Sequence, residues 1–134
     1  MTSTGAVLHL SIPVHDLEAA RRFYVDVLGC EPGRVRDGWI DVWFFGMQLT
    51  LQCRPDEVRA PEEQGVRHFG VALSDEDDFR APVRRVAAHD VAWLSPPVLH
   101  EAAALSGKLA DPSGNVIELK YYDDPDRYRP TPAR

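Results

Sequence analysis

Two stretches of this chain run through the same order of elements, and that repetition constrains the fold more than any other feature. Residues 6–14, "AVLHLSIPV", have β-character and are closed by Pro13. Residues 15–29, "HDLEAARRFYVDVLG", place Leu17, Ala20, Phe23, Tyr24, Val27 and Leu28 at three- and four-residue spacing, which gives one apolar helix face. Asp16 suits the N-cap, and Gly29 suits the stop. "EPGRVRDG" (31–38) mixes turn residues with a short, poor strand; "WIDVWFFG" (39–46) and "MQLTLQC" (47–53) are two strands with a tight reversal at Gly46. A polar, Pro-containing linker follows at 54–66, and the order begins again. The spacing predicts a strand over 67–74, a helix over 75–90 with an acidic first turn, and strands over 91–99, 104–110 and 115–122. Pro82 falls inside the helical pattern, so a late start or a kink is expected there. Pro96–Pro97 is expected to break the strand at 91–99. The order β-α-β-β-β twice over marks an internal repeat, although letter-by-letter identity between the halves is low.

This order predicts an α+β fold of two βαβββ modules, at about 6–53 and 67–122, within a single domain spanning 1–134. The charged, Pro-rich tail 123–134 is expected to be an irregular arm. The chain has 134 residues, 44% of them hydrophobic and 27% charged, enough apolar material for a core in one domain. A net charge of −6 with scattered Lys and Arg argues against nucleic acid or an anionic membrane as partner. No apolar run approaches the ~20 residues of a membrane span. The start lacks the basic and apolar regions of a signal peptide. Cys30 and Cys53 stand at no metal-motif spacing, as reduced thiols of a cytoplasmic protein would.

The residues with chemistry sit on strands. Side chains alternate faces along a strand. His9 shares a face with Val7 and Ser11, against Leu8, Leu10 and Ile12. His68 shares a face with Gly70 and Ala72, against Phe69, Val71 and Leu73. Glu118 shares a face with Val116 and Lys120, against Ile117 and Leu119. Each strand thus has an apolar face and a face carrying one ligand-type residue. A lone strand histidine is more often structural, and Glu118 alone could pair with Lys120. Three such residues, on three strands of a repeated unit, suit a divalent metal better. Two His and one carboxylate fit Fe(II), Mn, Zn, Ni or Co, and leave positions open for substrate and water. Gln48, with Thr50 and Gln52 on its face, could offer a further oxygen or orient a water. His15, His89 and His100 fall in cap, helix-end and loop positions and are taken as surface residues. Trp39, Trp43, Phe44 and Phe45 are expected in the core.

The segments "HLSIPVHDLEAARRFYVDVLG", "RHFGVALS" and "DPSGNVIELK", in this order, resemble the vicinal oxygen chelate superfamily of glyoxalase I, type I extradiol dioxygenases, and fosfomycin and bleomycin resistance proteins. "GWIDVWFFGMQL" brings the chain closer to bacterial extradiol-dioxygenase-like proteins. The resemblance implies paired modules forming a half-open barrel around a metal, and a homodimer. It assigns the metal ligands to His9, His68 and Glu118. Glyoxalase I has a fourth ligand, a Glu, where this chain has Gln48, and a neutral amide is a poorer metal ligand. Extradiol enzymes carry a catalytic His near that position and a Tyr where this chain has Lys108. Lys108 could stabilise an anionic oxygen near the metal, or be a solvated strand lysine.

What the resemblance implies is a metal-dependent, dioxygenase-like enzyme acting on a small substrate with vicinal oxygens, with Fe or Mn favoured. Gln48 and Lys108 are its candidate catalytic residues. A glyoxalase-type lyase or isomerase, or a resistance transferase, would use the metal as a Lewis acid without O2. A non-enzymatic drug-binding protein would not need the triad.

Overall fold

Asp16 starts the first helix as its sequence requires: its carboxylate accepts the Ala19 amide at 3.0 Å. In the computed structural model, which describes residues 5–101, 104–124 and 126, α1 (Leu17–Arg21) runs directly into a π-helical stretch, Arg22–Val27. Gly29, at φ 81°, ends it. The chain divides into two units, residues 1–66 with 110–115, and residues 67–109 with 116–134.

The first unit is one helix on one mixed sheet. Its strands are β1 (His9–Val14), β2 (Glu31–Arg36), β3 (Trp39–Phe44) and β4 (Met47–Cys53), in the order β1-β4-β3-β2. β1 and β4 are parallel; the other pairs are antiparallel. Alternation sorts the two faces. Ile40, Val42 and Phe44 of β3 and Leu49 and Leu51 of β4 are buried, as are Phe23, Tyr24 and Val27 of the helix. Each side chain of this size adds about 1.5–3 kcal/mol by leaving water. The opposite face carries Trp39, Asp41 and Trp43, paired with Gln52, Thr50 and Gln48. β2, expected to be poor, is a full edge strand, exposed throughout.

The 111–115 turn packs with this first unit. Asp111 accepts the Ser113 amide at 2.8 Å, the Asn115 amide at 3.0 Å and the Tyr24 hydroxyl at 2.7 Å. Asn115 Nδ2 donates to Asp111 and to the Pro13 carbonyl, both at 2.9 Å. His15 is exposed, but its backbone amide donates to Ser113 Oγ at 2.9 Å.

The second unit repeats the plan. β5 (Phe69–Leu73), α2 (Glu76–Ala88), β6 (Ser95–Glu101), β7 (Ala104–Ala110) and β8 (Val116–Tyr122) form a sheet in the order β5-β8-β7-β6, with β5 and β8 parallel. Phe79, Val86, Leu109, Ile117 and Leu119 make its core, and the Phe79 and Tyr121 rings lie 5.8 Å apart. Neither sheet closes on itself.

Three local expectations are corrected. α2 starts at its Asp75 cap, without delay, and Pro82 is buried inside it. Pro96 and Pro97 lie within β6 rather than breaking a strand over 91–99, and His100 falls on that strand rather than in a loop. β6 is at the sheet edge with register shifts after Ser95, where missing amide donors are tolerated. The arm expected over 123–134 lies largely outside the described residues.

Candidate functional site

Glu118 projects from the middle of β8, and its carboxylate is surrounded by donors. Ser106 Oγ donates to Glu118 Oε2 at 2.6 Å. His68 Nε2 lies 3.2 Å from Oε1, and Lys120 Nζ lies 3.6 Å from the same oxygen. The Glu118 side chain is 13% exposed and that of His68 34%, so the pair is partly shielded and still open to a ligand. Burial pushes the Glu118 carboxyl up. The Ser106 bond and the charges of Lys120, Lys108 and His68 outweigh it and hold the carboxyl below its usual value. The group is therefore an anion at neutral pH.

His68 stands one residue before β5, and Gly70 is paired with Glu118 across the parallel ladder. A Cβ on Gly70 would overlap the Glu118 carbonyl. Glycine is what lets β5 lie this close to β8 and brings the imidazole onto the carboxylate. His68, Gly70, Ala72, Glu118 and Lys120 line a hollow of about 230 Å³. Lys108 sits on β7, opposite Ser95, and acts on Glu118 through its charge.

The first unit carries its own hollow, of about 290 Å³, on the polar face of its sheet. His9, Arg34, Trp39, Gln48, Thr50 and Gln52 line it. His9 and Gln48 are direct partners in the parallel β1–β4 ladder, and His9 Nδ1 lies 3.2 Å from the Gln48 carbonyl. Beneath the hollow lies Asp41, 3% exposed. It accepts Thr50 Oγ1 at 2.7 Å, Arg34 Nε at 2.7 Å and Gln48 Nε2 at 3.3 Å. Burial raises the Asp41 carboxyl, but these bonds and the Arg34 charge outweigh it, and it too is held below its usual value.

Among the four candidates with ligand chemistry, the structure thus brings His68 to Glu118 in one unit and His9 to Gln48 in the other. Among the described residues no group of three His, Cys, Asp or Glu side chains is gathered as a metal cluster. The His68–Glu118 pair fits a divalent metal: an ionised carboxylate and an imidazole nitrogen converge, and both are donor types that such ions take. Sequence reasoning missed Ser106, Arg34 and Asp41. It also placed Trp39 in the core, whereas Trp39 lines the hollow with the Arg34 guanidinium 5.0 Å from its ring centre. The signal for Asp41 was present: alternation in "WIDVWFF" puts it on the face of Gln48 and Thr50.

A family model described as the Glyoxalase/Bleomycin resistance protein/Dioxygenase superfamily matches residues 6–119. The chain belongs to this superfamily. Within it, the chain is similar to a catechol-2,3-dioxygenase of Bacillus subtilis, 29% identical over 93% of this chain. The match covers 45% of that relative, so the chain spans about half the length of the curated protein it resembles. A superfamily structure from Alicyclobacillus acidocaldarius is 30% identical, with a TM-score of 0.85 over 96% of this chain and 100% of that one. A lactoylglutathione lyase from Agrobacterium tumefaciens, 20% identical with a TM-score of 0.65 over 90% and 96% of the two chains, shares the superfamily fold.

Proposed function

We propose that the chain is a metal-dependent, dioxygenase-like enzyme acting on a small substrate with two vicinal oxygens. His68 and Glu118 would hold a divalent metal, Fe or Mn before Zn, Ni or Co, with His9 as third ligand. The two modules would serve as one domain, and the protein would act as a cytoplasmic homodimer. The observation that carries this reading is the His68–Glu118 pair, an ionised carboxylate within 3.2 Å of an imidazole nitrogen at an open hollow. The superfamily's dioxygenase relative supports the reaction class.

A bound divalent ion would supply Lewis-acid polarisation of the substrate oxygens. The chain's own residues do the rest. Ser106 holds one oxygen of Glu118 and leaves the other facing His68. Beside the Ser106 bond, Lys120 and Lys108 help hold the carboxyl below its usual value, and their ammonium groups favour an anionic substrate oxygen near it. Gln48, bonded through Nε2 to Asp41, is neutral and orients polar groups rather than moving a proton.

The test is oxygen uptake with a panel of catechols, using protein reconstituted with Fe(II) or Mn(II), beside Glu118→Ala. Uptake with ring cleavage in the wild type, lost in the variant, supports the reading. Substrate conversion that persists without O2 would replace it with the lyase or isomerase reading. Saturable ligand binding without turnover would replace it with the drug-binding reading.

A further inference from the structure

We propose that the hollow on the polar face of the first sheet is a binding site for a small planar carboxylate, with Arg34 as its anchor and Asp41 as the residue that positions Arg34.

Arg34 is aimed by construction. The β2–β3 register shifts between Pro32 and Val35, a bulge that redirects the side chain between them. Gly33 permits the approach, since a Cβ there would crowd Asp41 Cβ and the Asp41 carbonyl at 3.0 Å. Arg34 then reaches Asp41 with two nitrogens, Nε and Nη2, both 2.7 Å from Oδ2. The Trp39 ring supports the guanidinium from one side. A side chain that is 55% exposed is thereby fixed at both its edge and its face.

The hollow offers a cationic donor edge and no lining carboxylate to compete with an acceptor. None of its six lining residues is acidic, and Arg34 supplies a permanent cation. Asp41 lies beneath, its charge matched by Arg34 and by the Thr50 and Gln48 donors. Asp41 occupies the Nε and Nη2 edge of Arg34, which leaves Nη1 without a protein acceptor among the described residues, and a charge-assisted bond from Nη1 suits a ligand carboxylate. Trp39, Gln48 and Gln52 add a ring and two amides, which suits a flat ligand with polar edges. A volume near 290 Å³ limits it to a small molecule.

This site meets the proposed function at His9, and rests on it only for the link to catalysis. Carboxylate binding itself requires no metal.

The test is a titration of the full-length protein, with and without EDTA, following the Trp39 indole N–H by NMR. The probes are benzoate and its neutral isostere benzamide, each against wild type, Arg34→Gln and Arg34→Lys. The expected result is a saturable Trp39 shift with benzoate, at least tenfold weaker with benzamide, and unchanged by EDTA. Arg34→Gln should weaken benzoate at least tenfold without changing benzamide, and Arg34→Lys should fall between. Equal binding of the two probes, or benzoate binding unchanged in Arg34→Gln, would overturn the proposal. If Arg34→Gln fails to fold, the two probes on wild type decide alone. Absent turnover in the catechol assay, with benzoate binding intact, would sink the enzyme reading and leave this site standing; turnover with equal binding of the two probes would do the reverse.

Discussion

Gly70 and Glu118 face each other in the β5–β8 ladder so closely that any side chain at Gly70 would strike the Glu118 backbone. The candidate ligand pair therefore depends on a missing Cβ. Gly70→Ala should push β5 from β8 and separate His68 from Glu118. We expect a loss of about 1–3 kcal/mol in urea denaturation, as for other overpacked sites, and at least tenfold weaker Mn(II) binding. Unchanged affinity would show that the spacing of the two strands does not matter to the site.

Ser106 is the strongest neutral donor to Glu118. Because the Glu118 carboxyl is held below its ordinary value of 4.5, its contribution to stability is present above that value and is lost as pH falls through the lower folded value. Ser106→Ala removes one of the groups that lower it, so the loss should begin at higher pH. A Glu118 carboxyl titration by carbon-13 NMR should move upward in the variant, with a cost of about 0.5–1.5 kcal/mol at pH 7. A titration that does not move would mean the charges of Lys120, Lys108 and His68 set Glu118 without Ser106.

Asp41 should behave likewise in the first unit. Asp41→Asn leaves the Arg34 guanidinium without its carboxylate, and about 1–3 kcal/mol should be lost at pH 7. The wild-type advantage is present above the ordinary aspartate value of 3.8 and disappears as pH falls through the lower folded value. The gap between the two proteins in urea melts should therefore narrow steadily as pH is lowered below 3.8. A constant gap would assign the effect to packing rather than charge.

Most of the architecture was legible because it rests on periodicity. Asp16, Gly29 and the apolar positions through Leu28 define the first helix, and alternation in β3 and β4 puts Gln48, Thr50 and Gln52 on the polar face. What alternation cannot express was hidden. The bulge at Gly33 sends Arg34 onto Asp41, and only the sheet's register sets Ser106 beside Glu118, twelve residues on. Pro96 and Pro97 read as breakers because the sequence does not say which strand lies at an edge. The pairing of His68 with Glu118 was legible; what binds there was not, since the same donors serve several metals and reactions.

The turn before β8 offers an independent check on the fold. Tyr24 is fully buried, and its hydroxyl donates to Asp111, which burial pushes above the usual carboxylate value. Tyr24→Phe should cost about 1–2 kcal/mol by leaving a buried acceptor short of one donor. It should leave Mn(II) binding unchanged. A stability change near zero would mean that Asn115 and the turn amides satisfy Asp111 by themselves.

The central claim is that His68 and Glu118 hold a metal with His9. Its most direct test is elemental analysis of protein purified without a histidine tag, beside His9→Ala, His68→Ala and Glu118→Ala. About one Fe or Mn per chain, lost in each variant that still folds by circular dichroism, is the predicted result. No bound metal in the wild type, together with no rise in melting temperature on adding Fe(II), Mn(II), Zn, Ni or Co, would contradict it.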